Sequence, residues 1–182
     1  SRGCSSSFDS FFQFPYLSVY PALVEALDRN GDGVVDDTDE TCEVRLLGFS
    51  WGGVNALSIA QHLARDRRIP DDKRTVTKVV LLDAFQPLSE NRMVVPENVG
   101  RVRSFRHSRA PADDCSQGVI WGPYRGFAPI CSDAQDCVDF DYSAFPDERF
   151  VTNSGAPLFG DEVGHCQVPN VAHDDVLSLI HI

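Results

Sequence analysis

Val44-Arg45-Leu46-Leu47-Gly48-Phe49-Ser50-Trp51-Gly52-Gly53-Val54-Asn55-Ala56-Leu57 joins an apolar run, a glycine-flanked serine and the start of a stretch with helical spacing. Such a sequence predicts a strand, a sharp turn and a helix. A turn this tight strains the serine backbone, and Gly48 and Gly52, two before and two after Ser50, would let strand and helix approach each other closely. Ser50 should then stand exposed at the C-terminal end of its strand. Working outward, a helix is expected over 53–68, a buried strand over Lys78-Val79-Val80-Leu81-Leu82, and an alternating strand over Arg101-Val102-Arg103-Ser104-Phe105. Strand, helix, strand with buried apolar runs predicts an α/β protein with a parallel sheet covered on both faces. Ligands in such sheets sit beyond the carboxyl ends of the strands, and Asp83 falls at one of those ends.

Composition bounds the rest. The chain has 182 residues, 42% of them hydrophobic, with 12 Phe, which suits one domain over 1–182 with a substantial core. A formal net charge of −11 argues against nucleic acid or an anionic membrane surface as the main partner. No stretch approaches the roughly 20 apolar residues of a membrane span. Six cysteines, Cys4, Cys42, Cys115, Cys131, Cys137 and Cys166, form no CxxC pair and no metal-type spacing. That pattern favours disulfides and a secreted, extracellular or periplasmic setting over reduced thiols in a cytosolic enzyme. Cys131 with Cys137, separated by a short polar loop, is the one pairing to expect. The stretch 108–159 lacks clear periodicity and holds three cysteines with many Pro, Gly and Asp, so it reads as a disulfide-rich, lid-like excursion.

A second motif runs from Asp28 to Asp39. Asp28, Asn30 and Asp32 alternate, Gly33 permits a sharp turn, Val34 can offer its carbonyl, and Asp36 and Asp39 take the later ligand positions. The pattern resembles the EF-hand-like calcium loops of secreted proteins, with Asp39 standing where a bidentate glutamate is usual and a strand following in place of a second helix. Structural calcium is the cofactor this implies, with no organic cofactor; the alternative is a solvated acidic turn. Five aspartates and Glu40 against Arg29 give this span five of the eleven net negative charges, a repulsion that a bound cation would relieve.

Gly48-Phe49-Ser50-Trp51-Gly52 in its strand and helix context resembles the nucleophile elbow of the α/β-hydrolase superfamily, the esterases and lipases among them, from about Val44 to the C-terminus. The resemblance implies a mostly parallel sheet with helices on both faces. It also implies a Ser-His-Asp triad acting on a carboxylic ester, lipid-like or small. Ser50 would be the nucleophile, and the backbone N–H of Trp51 an oxyanion donor. The base must come late in the chain, and His173, followed by Asp174-Asp175-Val176-Leu177, fits best, with His165 the alternative. His62, His107 and His181 are expected in a helix, in or just after a strand, and at the terminus. The acid is either Asp83, which resembles the strand-end aspartate of pancreatic-type lipases although Ala84 stands where they commonly carry proline, or one of Asp113 and Asp114. Trp51, Phe11-Phe12-Gln13-Phe14 and the aromatic stretch 121–127 could line an acyl pocket or simply fill the core.

In this superfamily the elbow strand normally follows at least two others. Residues 8–27 read as apolar loop and helix, and 28–41 as polar loop, so no strand is expected before Val44. An N-terminal segment, cleaved and still associated or left out, is therefore an expected partner. A catalytically silent hydrolase fold acting as a calcium-stabilised binding module is the alternative function. A calcium-dependent interaction domain with an incidental GxSxG is a third.

Overall fold

A computed structural model describes residues 15–85, 93–107 and 126–141, together with Val168 and Ala172. In chain order it places α1 (Pro15–Leu27), β1 (Val44–Phe49), α2 (Trp51–Arg65), a 3-10 turn (Asp71–Lys73), β2 (Val76–Leu82), β3 (Met93–Val94), β4 (Val99–Arg106), β5 (Pro129–Ile130) and β6 (Asp136–Asp141). The central sheet runs β1-β2-β4-β6 with every pairing parallel; β3 and β5 form a separate two-stranded ladder. This is an α/β arrangement built on a parallel sheet.

β2 is the middle of that core. Six of its seven residues are buried, as an interior parallel strand with both faces covered requires. The register sets Leu46, Val79, Val102 and Cys137 in one row across the sheet. Ala56, Leu57, Ala60 and Leu63 of α2 share a core with Val44, Val79, Leu81 and Val102. Full burial of a side chain such as Leu63 or Leu81 stabilises the fold by roughly 1.5–3 kcal/mol. α1 packs on α2, and Tyr20 donates its hydroxyl to Asp66 Oδ2 at 2.9 Å.

That contact also explains where α2 stops. The helix ends at Arg65, short of the expected 68, because Asp66 turns to extended backbone (φ −77°, ψ 96°). Its carboxylate there accepts from Tyr20 and from Nε of Arg68 at 2.8 Å.

Within 108–159, the described residues 136–141 supply the fourth strand of the sheet. Three aspartates in six residues suppress the strand signal. The neighbouring strand answers them: Arg101 and Arg103 hold Asp136, and Arg106 reaches Asp139 at 2.9 Å and Asp141 at 3.0 Å. Such cross-strand pairs are the stabilising unit of a sheet. Cys131 and Cys137 are disulfide-bonded just ahead of and within this strand, and Cys42 is also in a disulfide.

At the opposite side of the sheet, β1 pairs with β2 alone among the described residues, and its Leu47 and Phe49 are exposed. Among the described residues no helix is long and apolar enough to cross a membrane.

Candidate active site

Ser50 is the whole connection between β1 and α2. Its φ of 54° and ψ of −127° put a non-glycine residue in a sparsely populated region, a strain of order 1–3 kcal/mol that the flanking strand and helix must sustain. Three backbone bonds fix it: its N–H donates to the Leu82 carbonyl at 2.9 Å, and its carbonyl accepts from the N–H groups of Gly53 at 3.0 Å and Phe85 at 3.1 Å. Serine at a helix N-cap normally bonds its hydroxyl to the first turn, but Ser50 makes no such bond. Trp51, first in the helix, has a backbone N–H with no intrahelical acceptor, and its side chain is exposed.

The glycines divide the work differently from the sequence reading. A Cβ on Gly48 would stand 2.2 Å from the Gly52 carbonyl oxygen and 2.5 Å from the Gly53 nitrogen, so strand and helix backbones meet there. A Cβ on Gly53 would stand 2.5 Å from Cβ of Ala84. Among the described residues nothing lies within 4 Å of a Cβ on Gly52. The close approach thus rests on Gly48 and Gly53, and Ala84 is the small residue that lets the end of β2 come in.

Parallel register aligns Phe49, Leu82 and Phe105, so the residues that follow them leave the sheet side by side. Asp83 sits one residue beyond β2, with φ 45° and no exposed surface. Its N–H donates to the Phe105 carbonyl at 2.6 Å. Its carboxylate meets His107, the residue after β4: the His107 N–H donates to Oδ1 at 2.9 Å, and Nδ1 lies 2.8 Å from Oδ2. Both side chains are fully buried. Gly126 closes the box, because a Cβ there would stand 2.3 Å from Asp83 Oδ1. Beside it the rings of Phe85 and Phe127 stack with centroids 6.0 Å apart.

The structure therefore brings Ser50 and Asp83 to adjacent strand ends. Sequence reasoning set His107 aside as a residue in or just after a strand; its position at the end of β4, in register with Asp83, was the available signal. His173, His165, Asp113 and Asp114 lie outside the described residues, as do Phe11, Phe12 and Phe14.

The acidic loop after α1 is tightly self-bonded. Asp28 accepts from the N–H groups of Gly31 at 2.8 Å and Gly33 at 2.7 Å, Asn30 from Asp32 and Asp32 from Val34, each at 2.9 Å. Gly31 and Gly33 both take positive φ, 75° and 88°. The hydroxyl and N–H of Thr38 hold the Asp36 carboxyl below the usual range. The Asp36 N–H, ahead of those of Asn30 and Arg29, does the same for Asp39, against the opposing effect of burial. Lys73 donates its ammonium to the Asp39 carbonyl, tying the loop to the 3-10 turn. Val35 of the loop is buried in the core cluster that also holds Leu27. Among the described residues no three His, Cys, Asp or Glu side chains converge as a ready metal site, and no ion pair neutralises Asp28, Asp32 or Asp36. The donors present are hard oxygens with lone pairs beyond those the N–H groups use, and they fit calcium in kind.

The class these residues define is an α/β protein with a strained serine at a strand-to-helix junction of a parallel sheet. No protein-family model, curated protein or solved structure matches the chain.

Proposed function

We propose that this chain is a serine ester hydrolase with an α/β-hydrolase-type fold. One observation carries the reading: Ser50 is held at φ 54°, ψ −127° in a one-residue turn, with its hydroxyl withheld from helix capping. Strain of this kind is sustained where a site requires it, as a nucleophile that must project from a strand end into a crevice does.

In this reading Ser50 Oγ attacks the carbonyl carbon of a carboxylic ester, lipid-like or small. His173 takes the hydroxyl proton and returns it to the departing alcohol, and Asp83 orients the imidazole; water then repeats the sequence on the acyl-enzyme. The N–H of Trp51 donates to the tetrahedral oxyanion, an interaction whose loss typically costs about 2.7–4 kcal/mol in the transition state. Asp28, Asn30, Asp32, the Val34 carbonyl, Asp36 and Asp39 would hold a structural calcium ion, which supplies charge neutralisation at the loop and no step of the reaction. The disulfides support a secreted, extracellular or periplasmic setting.

A second reading, a silent fold serving as a binding module, draws on the engagement of both Asp83 oxygens by His107. Fluorophosphonate labelling followed by intact mass separates the two. A single adduct, absent from Ser50→Ala, supports the hydrolase; a folded protein that takes no adduct supports the silent module.

A further inference from the structure

We infer that His107 is a positioning residue that holds Asp83 as an oriented carboxylate for the site at Ser50; this rests on the reading of Ser50 and Asp83 as nucleophile and acid. A carboxylate with no exposed surface is costly unless its oxygens are satisfied. Here one residue meets both oxygens, with the His107 N–H on Oδ1 and Nδ1 beside Oδ2. Three backbone links keep the two residues in place. Asp83 N–H bonds the Phe105 carbonyl, Gly126 N–H bonds the His107 carbonyl at 3.0 Å, and Phe127 N–H bonds the Ala84 carbonyl at 3.0 Å.

The same burial fixes the kind of role. The ring has no exposed surface to offer a leaving group that arrives from solvent, so the role inferred for His107 is not that of the base. Its effect is exerted through Asp83. A carboxylate offers about four lone-pair sites, so contact with His107 is compatible with Asp83 also accepting from the base of the triad.

Steady-state hydrolysis of a short-chain p-nitrophenyl ester by the full chain, with calcium present, tests this. His107→Leu removes the imidazole nitrogen 2.8 Å from Oδ2 at similar size, His107→Asn places an amide N–H close to where Nδ1 stands, and His107→Gln places it farther out, where Nε2 stands. The expected result is a kcat lowered about 10- to 100-fold in His107→Leu, by analogy with the loss on removing residues that orient metal ligands. KM should be unchanged, and His107→Asn should recover most of the loss. A folded His107→Leu with wild-type kcat, or Leu and Asn variants equally impaired, overturns the inference. If His107→Leu does not fold, Asn is compared with Gln: an active Asn variant beside an impaired Gln variant supports the role, and equal activities overturn it. An inert wild type that also takes no fluorophosphonate adduct overturns the hydrolase reading itself, and the assigned role with it.

Discussion

Ser50 makes the strain at the turn measurable without any substrate. Glycine ordinarily destabilises an element by roughly 0.5–1 kcal/mol relative to alanine, because it loses more backbone freedom on folding. At φ 54° the order should reverse, since only glycine adopts that conformation at no steric cost. Thermal melts are expected to show Ser50→Gly more stable than Ser50→Ala, with both variants refusing the fluorophosphonate. A neighbouring pair reads the close approach of strand and helix. Gly48→Ala drives a methyl into the backbone of residues 52 and 53, which cannot step aside as a side chain could, so a loss of about 3 kcal/mol or more is expected. Gly52→Ala, inside α2, meets nothing within 4 Å among the described residues and should be neutral or gain up to about 1 kcal/mol from helix propensity. Denaturant midpoints of the two variants would settle the contrast, and equal destabilisation would show that the turn is not packed as described.

At the scale of elements, β6 and the loop after α1 each depend on a local device. The Cys131–Cys137 bond closes a short loop at the entry to β6. The chain-entropy account gives such a loop about 2 kcal/mol, so replacing both cysteines by serine should lower the unfolding free energy by that amount, read as a lower denaturant midpoint. The Asp28–Asp39 loop already spends much of its hydrogen-bonding capacity on its own backbone, yet Asp28, Asp32 and Asp36 lack ion-pair partners among the described residues. A bound calcium ion should raise stability by about 2.7 kcal/mol at a hundred times its dissociation constant. The expected observation is a calcium-dependent rise in melting temperature, reversed by a chelator and lost in Asp28→Asn and Asp32→Asn. A melting temperature indifferent to calcium would leave the loop as an acidic turn.

Across the whole molecule, acid stability follows from several carboxyls held below their usual range. Asp66 is held down foremost by the Arg68 side chain, and Asp136 foremost by Arg103; Asp36 and Asp39 are held by their own loop. A depressed folded-state pKa means the unfolded chain binds the proton more readily. The stabilisation is therefore complete above the unfolded carboxyl value of about 3.9 and is lost as pH falls through the lower folded values. Melting temperature is expected to hold between pH 7 and 5 and then drop below about pH 4, with Asp66→Asn showing a shallower drop than wild type.

The order strand, tight turn, helix, strand was legible in the chain because local sequence sets it. An apolar run, a glycine-flanked serine and a 3.6-residue period each act over a few residues, and β1, α2, β2 and β4 fell close to where those signals put them. The loop between α1 and β1 was legible for the same reason, and so was the Cys131–Cys137 pair. The sequence alone could not reveal β6, whose aspartates become strand residues only when Arg101, Arg103 and Arg106 stand opposite them on β4. Nor could it pair Asp83 with His107, which lie 24 residues apart and meet only because parallel register brings the ends of β2 and β4 together. Tertiary structure also decided that Gly53 and Ala84, more than Gly52, carry the close approach beyond Gly48. Short-range propensity is written residue by residue, whereas charge compensation and close contact between strands exist only once the sheet has set its neighbours.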